Sequence, residues 1–235
     1  MITVRDKRGK LATLGVLPPT APMTITLSAL DPQIAAKSLL KHPFYVRWSK
    51  GELTKDELKV YAKEYFHLVE RIPGIVERVR DRATDKNFRA KIEENRVEEQ
   101  EHVELWKRFA KSLGINEQEL VSYTPSIKVQ NAVKSLENAA EQNLEAGIVA
   151  MYALEAELPA IAATKKDGLC KFYGLDSEDA QIYFDEHLKE EKHLEVWRAF
   201  SVDGVQAREM AEVSLVAQNQ VLDAVCEECG ISMDC

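Results

Sequence analysis

A phrase of eleven residues occurs twice in this chain, about ninety residues apart. Glu99-Gln100-Glu101-His102-Val103-Glu104-Leu105-Trp106-Lys107-Arg108-Phe109 is echoed by Glu190-Glu191-Lys192-His193-Leu194-Glu195-Val196-Trp197-Arg198-Ala199-Phe200. Both copies read Glu-x-x-His, then apolar-Glu-apolar-Trp-basic-x-Phe. On a helix, residues three apart share a face, so each Glu presents its carboxylate beside the imidazole of its His. Two such pairs on different helices, joined by lone carboxylates from others, are the way helical bundles hold two metal ions. The repeat therefore predicts a bundle of helices around a dimetal centre.

The rest of the composition agrees. A chain of 235 residues suits one large helical domain, and 45% hydrophobic with 30% charged residues allows an ordinary core. The net charge of −8 argues against a nucleic acid or an anionic membrane surface as partner, since both call for a basic face. No uninterrupted apolar run is read as a membrane span. Met1 to Pro22 carries Arg5, Lys7, Arg8 and Lys10 but lacks the apolar block of a signal peptide, so the expected location is the cytoplasm. Of the cysteines, Cys170, Cys226, Cys229 and Cys235, the pair Cys226-x-x-Cys229 has the spacing of a redox or zinc half-site. No second Cys or His pair lies near it, and it is read as a reduced pair on a fraying last helix.

Along the chain, residues 1–26 contain Pro18, Pro19 and Pro22 with no steady period and are expected to form a mobile arm. Residues 27–235 are expected to be a single helical domain of about seven helices. Asp31-Pro32 opens a helix to about Lys41, and His42-Pro43 leads into a turn carrying Phe44, Tyr45 and Trp48. Thr54 to Glu57 is a capping box for a helix that Pro73 kinks or ends. Helices follow from about Asp85 to Leu113, Ser126 to Lys166 with a bend at Pro159, Ser177 to Phe200, and Ala207 to Glu228. Gly168 and Gly174 bracket a connector. No segment alternates as a strand does.

Candidate metal ligands come from three of these helices. The first offers Glu99 and His102. The second offers Glu155, within the apolar run from Ala150 to Pro159, where a carboxylate is costly unless paired or bound to metal. The third offers His187, Glu190 and His193. Oxygen donors with imidazole suit iron or manganese, and open positions leave room for dioxygen. Glu64-x-x-His67 matches the pattern too, but it lacks the Trp-basic-x-Phe tail and is read as a decoy. Glu98, Glu101, Glu104, Glu191 and Glu195 read as solvated faces.

The segments His42–Phe66, Leu144–Tyr152, Glu155–Ala162 and Tyr183–His187 resemble the CADD family, the chlamydia protein associating with death domains, over about residues 30 to 222. The likeness is more specific than that to the PqqC and TenA families of the same fold. It implies an all-α, haem-oxygenase-like bundle and a dimetal oxidase using dioxygen and an external reductant, with iron paired to iron or to manganese. It also implies a homodimer and a role in making p-aminobenzoate for folate, with the ring taken from one of the protein's own tyrosines and the amino group from a lysine. Carried over position by position, it puts metal ligands at Glu99, His102, Glu155, His187, Glu190 and His193. The active-site tyrosines fall at Tyr45 and Tyr183, and the lysine at Lys165.

This chain departs from the family in three places. The family spaces its first Glu and His further apart. Its last helix reads His-x-x-x-Asp-x-x-His, whereas His187-x-x-Glu190-x-x-His193 is one residue short. At about 100° per residue these steps fan over roughly 120°, so a bulge or bent start is expected between the histidines, or else Glu191 replaces Glu190 or His187 does not bind. Leu154 stands where the family has a tyrosine. Two other readings stay open on the sequence: the same centre acting on an external amino-acid or fatty-acid substrate, and a metal-free binding protein. A thiaminase-like hydrolase would need Cys170 to face the cavity.

Overall fold

The structure, a computed structural model, describes residues 3–5, 11–13, 23–189 and 191–233. Much of the expected arm, Glu190 and Cys235 lie outside these residues. Two short antiparallel pairs depart from the strand-free expectation: β1 (Thr3–Arg5) with β2 (Leu11–Thr13), and β3 (Thr24–Thr26) with β4 (Ser201–Asp203). Thr24–Thr26 was expected in the arm and is instead tied to the body. Three-residue strands are too short to leave an alternating signature.

The helices begin where capping chemistry places them. α1 (Asp31–Ala36) stops sooner than expected, and the segment with Tyr45 is a helix, α2 (Pro43–Lys50). His42 Nδ1 caps it by accepting from the Phe44 N–H at 3.2 Å. α3 (Lys55–Val69) opens on the full Thr54–Glu57 capping box and buries Leu58, Tyr61, Ala62, Tyr65 and Leu68. Pro73 does not kink α3. It sits in the first turn of α4 (Ile72–Arg82), where a missing N–H costs nothing. α5 (Lys86–Ser112) is capped by Asp85 and followed by the short α6 (Glu117–Ser122).

The expected long helix from Ser126 is three helices. α7 (Ile127–Gln142) ends because Asn143 turns extended, φ −165° and ψ 175°, and its side chain caps α8 (Leu144–Glu155). α9 (Leu158–Phe172) has Pro159 in its first turn and runs on through Gly168. That glycine is a packing requirement rather than a stop, since a Cβ there would lie 2.6 Å from the Trp48 ring of α2. α10 (Glu178–His187) and α11 (Glu191–Arg198) are separated by a break, and α12 (Gly204–Cys229) closes the bundle with Gly230 left-handed at φ 64°.

Every residue of α8 from Ala146 to Glu155 is buried, because α4, α7, α11 and α12 pack round it. The run Leu144–Phe172 is long and apolar enough to cross a bilayer, with mean hydropathy 1.4 over its best 18-residue window, contrary to the sequence expectation. Inside the molecule 67% of that window is buried, so its apolarity is that of a core helix. α10 lies on α5 and α9, and α11 bridges α5 and α8. The described ones among the expected site residues sit on these helices and on α2.

Candidate metal centre

Glu99 and His102 are one turn apart on α5, and Glu99 Oε2 accepts from His102 Nδ1 at 3.3 Å. His187 is the last residue of α10, with its ring centroid 4.5 Å from that of His102. α11 brings His193, whose Nδ1 lies 3.9 Å from Glu99 Oε1. Glu155 ends α8 and accepts from Trp197 Nε1 at 2.6 Å. All five side chains are in residues no more than 6% exposed. The helix break answers the register problem: His187 and His193 arrive on two helices, so their fan along one helix is no longer a constraint. Glu190 lies outside the described residues, as does the Glu191 side chain.

Among the described residues, no three His, Cys, Asp or Glu groups already form a ready coordination cluster. The chemistry of the donors nevertheless suits a divalent metal. Burial pushes the Glu99 carboxyl up, but the His102 hydrogen bond and the charges of His102, His187 and His193 outweigh it and hold the group below its ordinary value. The imidazole roles follow from their partners. His187 Nδ1 donates to the Tyr183 carbonyl at 2.7 Å, which leaves Nε2 as the basic nitrogen of the neutral ring. His102 likewise directs Nδ1 to Glu99.

Beside these donors lies a buried lysine in a cage of rings. Lys165 Nζ stands 4.8 Å from the ring centroid of Tyr65, 5.1 Å from Tyr45, 5.4 Å from Tyr61 and 5.7 Å from Phe184. Desolvation lowers its pKa to about 7, so near neutral pH much of it carries a free lone pair. The Tyr45 and Tyr61 hydroxyls are 3.2 Å apart. Burial raises both phenols well above their ordinary value, with the charges of neighbouring tyrosines adding to it. Tyr183 sits with its ring 4.2 Å from His187 and 4.7 Å from Trp106, linking the cage to the donors.

Two spaces open here. An interior cavity of about 10 Å³ is lined by Tyr65, Lys165, Tyr183, Phe184 and His187 among others, room for about one water-sized molecule. Outside it, a cleft of about 670 Å³ is bordered by Glu98, His102, Arg108, Lys192 and His193.

Residues 32–227 match the model of the TENA/THI-4/PQQC family. The chain belongs to that family. A 4-aminobenzoate synthase of Chlamydia pneumoniae is 31% identical to it over 209 residues, 86% of this chain and 92% of that protein. One of Nitrosomonas europaea is 32% identical over 172 residues, 67% of this chain and 70% of the relative. A solved domain of Shewanella denitrificans with a heme oxygenase-like fold superposes with TM-score 0.74 at 19% identity, over 88% of this chain and 94% of that one. A CADD-like protein of Nostoc punctiforme gives 0.66 at 19%, over 88% and 99%. The fold of this TENA/THI-4/PQQC member is thus haem-oxygenase-like and all-α, as the resemblance implied.

Some site residues of this family member escaped the sequence reading. Glu98, read as a solvated face, accepts from His193 Nε2 at 2.7 Å. The tryptophans of the repeated phrase were legible as a motif but not in role: Trp197 holds Glu155, and Trp106 Nε1 donates to the Ala62 carbonyl at 2.9 Å. Tyr61 and Tyr65, on the buried face of α3, were not singled out either. Glu64, read as a decoy, has its carboxylate accept from the Tyr123 hydroxyl and from Ser126. Cys170 is exposed, so a cavity-facing thiol is not found there. Cys226 and Cys229 lie in a regular last turn of α12 rather than on a fraying end.

Proposed function

We propose that this protein is a dioxygen-dependent p-aminobenzoate synthase that draws the ring from Tyr45 and the nitrogen from Lys165. Glu99, His102, Glu155, His187, Glu190 and His193 would hold the metals. Two iron ions, or iron with manganese, would supply the activation of dioxygen there at the expense of an external reductant. What the chain contributes follows from its own residues. The raised phenols of Tyr45 and Tyr61 stay protonated at neutral pH, so Tyr45 would give up an electron only together with its proton, and its hydroxyl is held in a hydrogen bond with that of Tyr61 at 3.2 Å. Tyr183 lies between the cage and the histidines. Lys165, neutral in large part near pH 7, offers its lone pair among the rings.

The observation that carries this reading is the cage itself. A lysine is buried against three tyrosines, and the cavity beside it, about 10 Å³, has room for about one water-sized molecule. The relatives named 4-aminobenzoate synthase support the same product. Reduced, metal-loaded protein exposed to dioxygen without any aromatic precursor should release p-aminobenzoate, at no more than a single molecule per chain. Protein labelled on its tyrosine rings should give labelled product, Tyr45→Phe none, and Lys165→Ala should block amination with the metals retained.

A second reading keeps the centre and gives it an external substrate. The cleft of about 670 Å³ that reaches His102 and His193 favours it. Many turnovers on an added small molecule, with Tyr45→Phe fully active, would decide for that reading.

A further inference from the structure

His193 differs from His187 in which nitrogen it commits to a hydrogen bond. His187 commits Nδ1, to the Tyr183 carbonyl. His193 does the reverse. Its Nε2 donates to Glu98 Oε2 at 2.7 Å, and its Nδ1 is the nitrogen nearer Glu99, at 3.9 Å from Oε1. Glu98 is itself fixed, because its other oxygen accepts from Lys192 Nζ at 2.7 Å. The arrangement follows from sequence: Glu98 and Glu99 are consecutive, so on α5 they point about 100° apart. Glu99 faces the buried cluster with His102, while Glu98 reaches round to α11 from the cleft side.

We infer that Glu98 is a positioning residue that locks His193 as the Nε2–H tautomer, so that His193 ligates through Nδ1 whereas His187 ligates through Nε2. A carboxylate on the far nitrogen of a ligating imidazole sets ring orientation and basicity, and its loss costs about 10–100-fold in metal affinity. The inference rests on the dimetal reading and adds to it which atom of one ligand binds and what aims it.

Two measurements test it. The first is on the metal-free protein: nitrogen-15 spectra of the histidine rings should show His193 protonated on Nε2 and His187 on Nδ1. Glu98→Ala should abolish the His193 preference, and Glu98→Gln should keep it, because the amide oxygen still accepts from Nε2. The second is metal competition against a chelator. Glu98→Ala should weaken one of the two metals by about 10–100-fold, Glu98→Gln should recover most of that loss, and Lys192→Ala should stay within a few-fold of the parent. If Glu98→Ala folds and binds both metals as tightly as the parent, or if His193 is protonated on Nδ1, the inference is wrong while the dimetal reading stands. If the parent itself takes up no metal, both fall. Should Glu98→Ala fail to fold, the ring spectra of the parent and of Glu98→Gln still decide.

Discussion

Lys165 shows how much one buried group can shape the behaviour of this site. Its amine titrates at about 7 when folded and at about 10.5 when free, so between those values the unfolded chain binds the extra proton and stability climbs with pH. The penalty is fully present below pH 7 and gone above about pH 10.5, on the order of 5 kcal/mol at most. Lys165→Met should therefore be the more stable protein, by most in acid, with the gap closing as pH rises; urea melts from pH 6 to 10 measure it. The donors make a separate prediction: joint replacement of His102 and Glu155 by Ala should empty the centre, and unchanged metal content by elemental analysis would refute it. His102 stood out in the sequence because it lies in a repeated phrase and Glu155 because it lies in an apolar run, whereas Lys165 came only from the family resemblance. Glu98 did not stand out. Helical periodicity places a side chain on its own helix, but His193 comes to Glu98 from another helix whose start the pattern does not reveal.

At the level of elements, the ambiguous letters were proline and glycine. Pro73 was read as a kink or an end and Pro159 as a bend, whereas packing makes them the starts of α4 and α9. Gly168 read as a stop because glycine most often is one, yet here it lets Trp48 lie against α9, with Trp48 Nε1 donating to the Lys165 carbonyl at 3.1 Å. Gly168→Ala should force the ring aside and cost about 1–3 kcal/mol, seen as a lower urea midpoint, and it should disturb the Lys165 cage. Gly174→Ala tests a different effect, since its strain is purely that of φ 63° with no side chain nearby. The break between α10 and α11 was legible as a need, from the spacing of His187 and His193, although the pattern did not say whether a bulge or two helices would meet it.

Taken whole, the molecule puts its proposed reagent among its supports. Tyr45 is 1% exposed and packs edge-on against Phe44, Trp48 and Tyr61. Losing that ring would leave a void in the core, a change that typically costs about 3–5 kcal/mol. Chains that have reacted should thus melt at lower temperature than unreacted ones and be cut faster by protease, with intact-mass spectra reporting the missing ring. Under the proposed reaction the protein would have no Michaelis constant for its aromatic donor, because no concentration of anything outside it sets the rate at which rings are supplied. Output would track the ribosome: each molecule of product would require a newly translated chain, and each spent chain would already be softened for degradation.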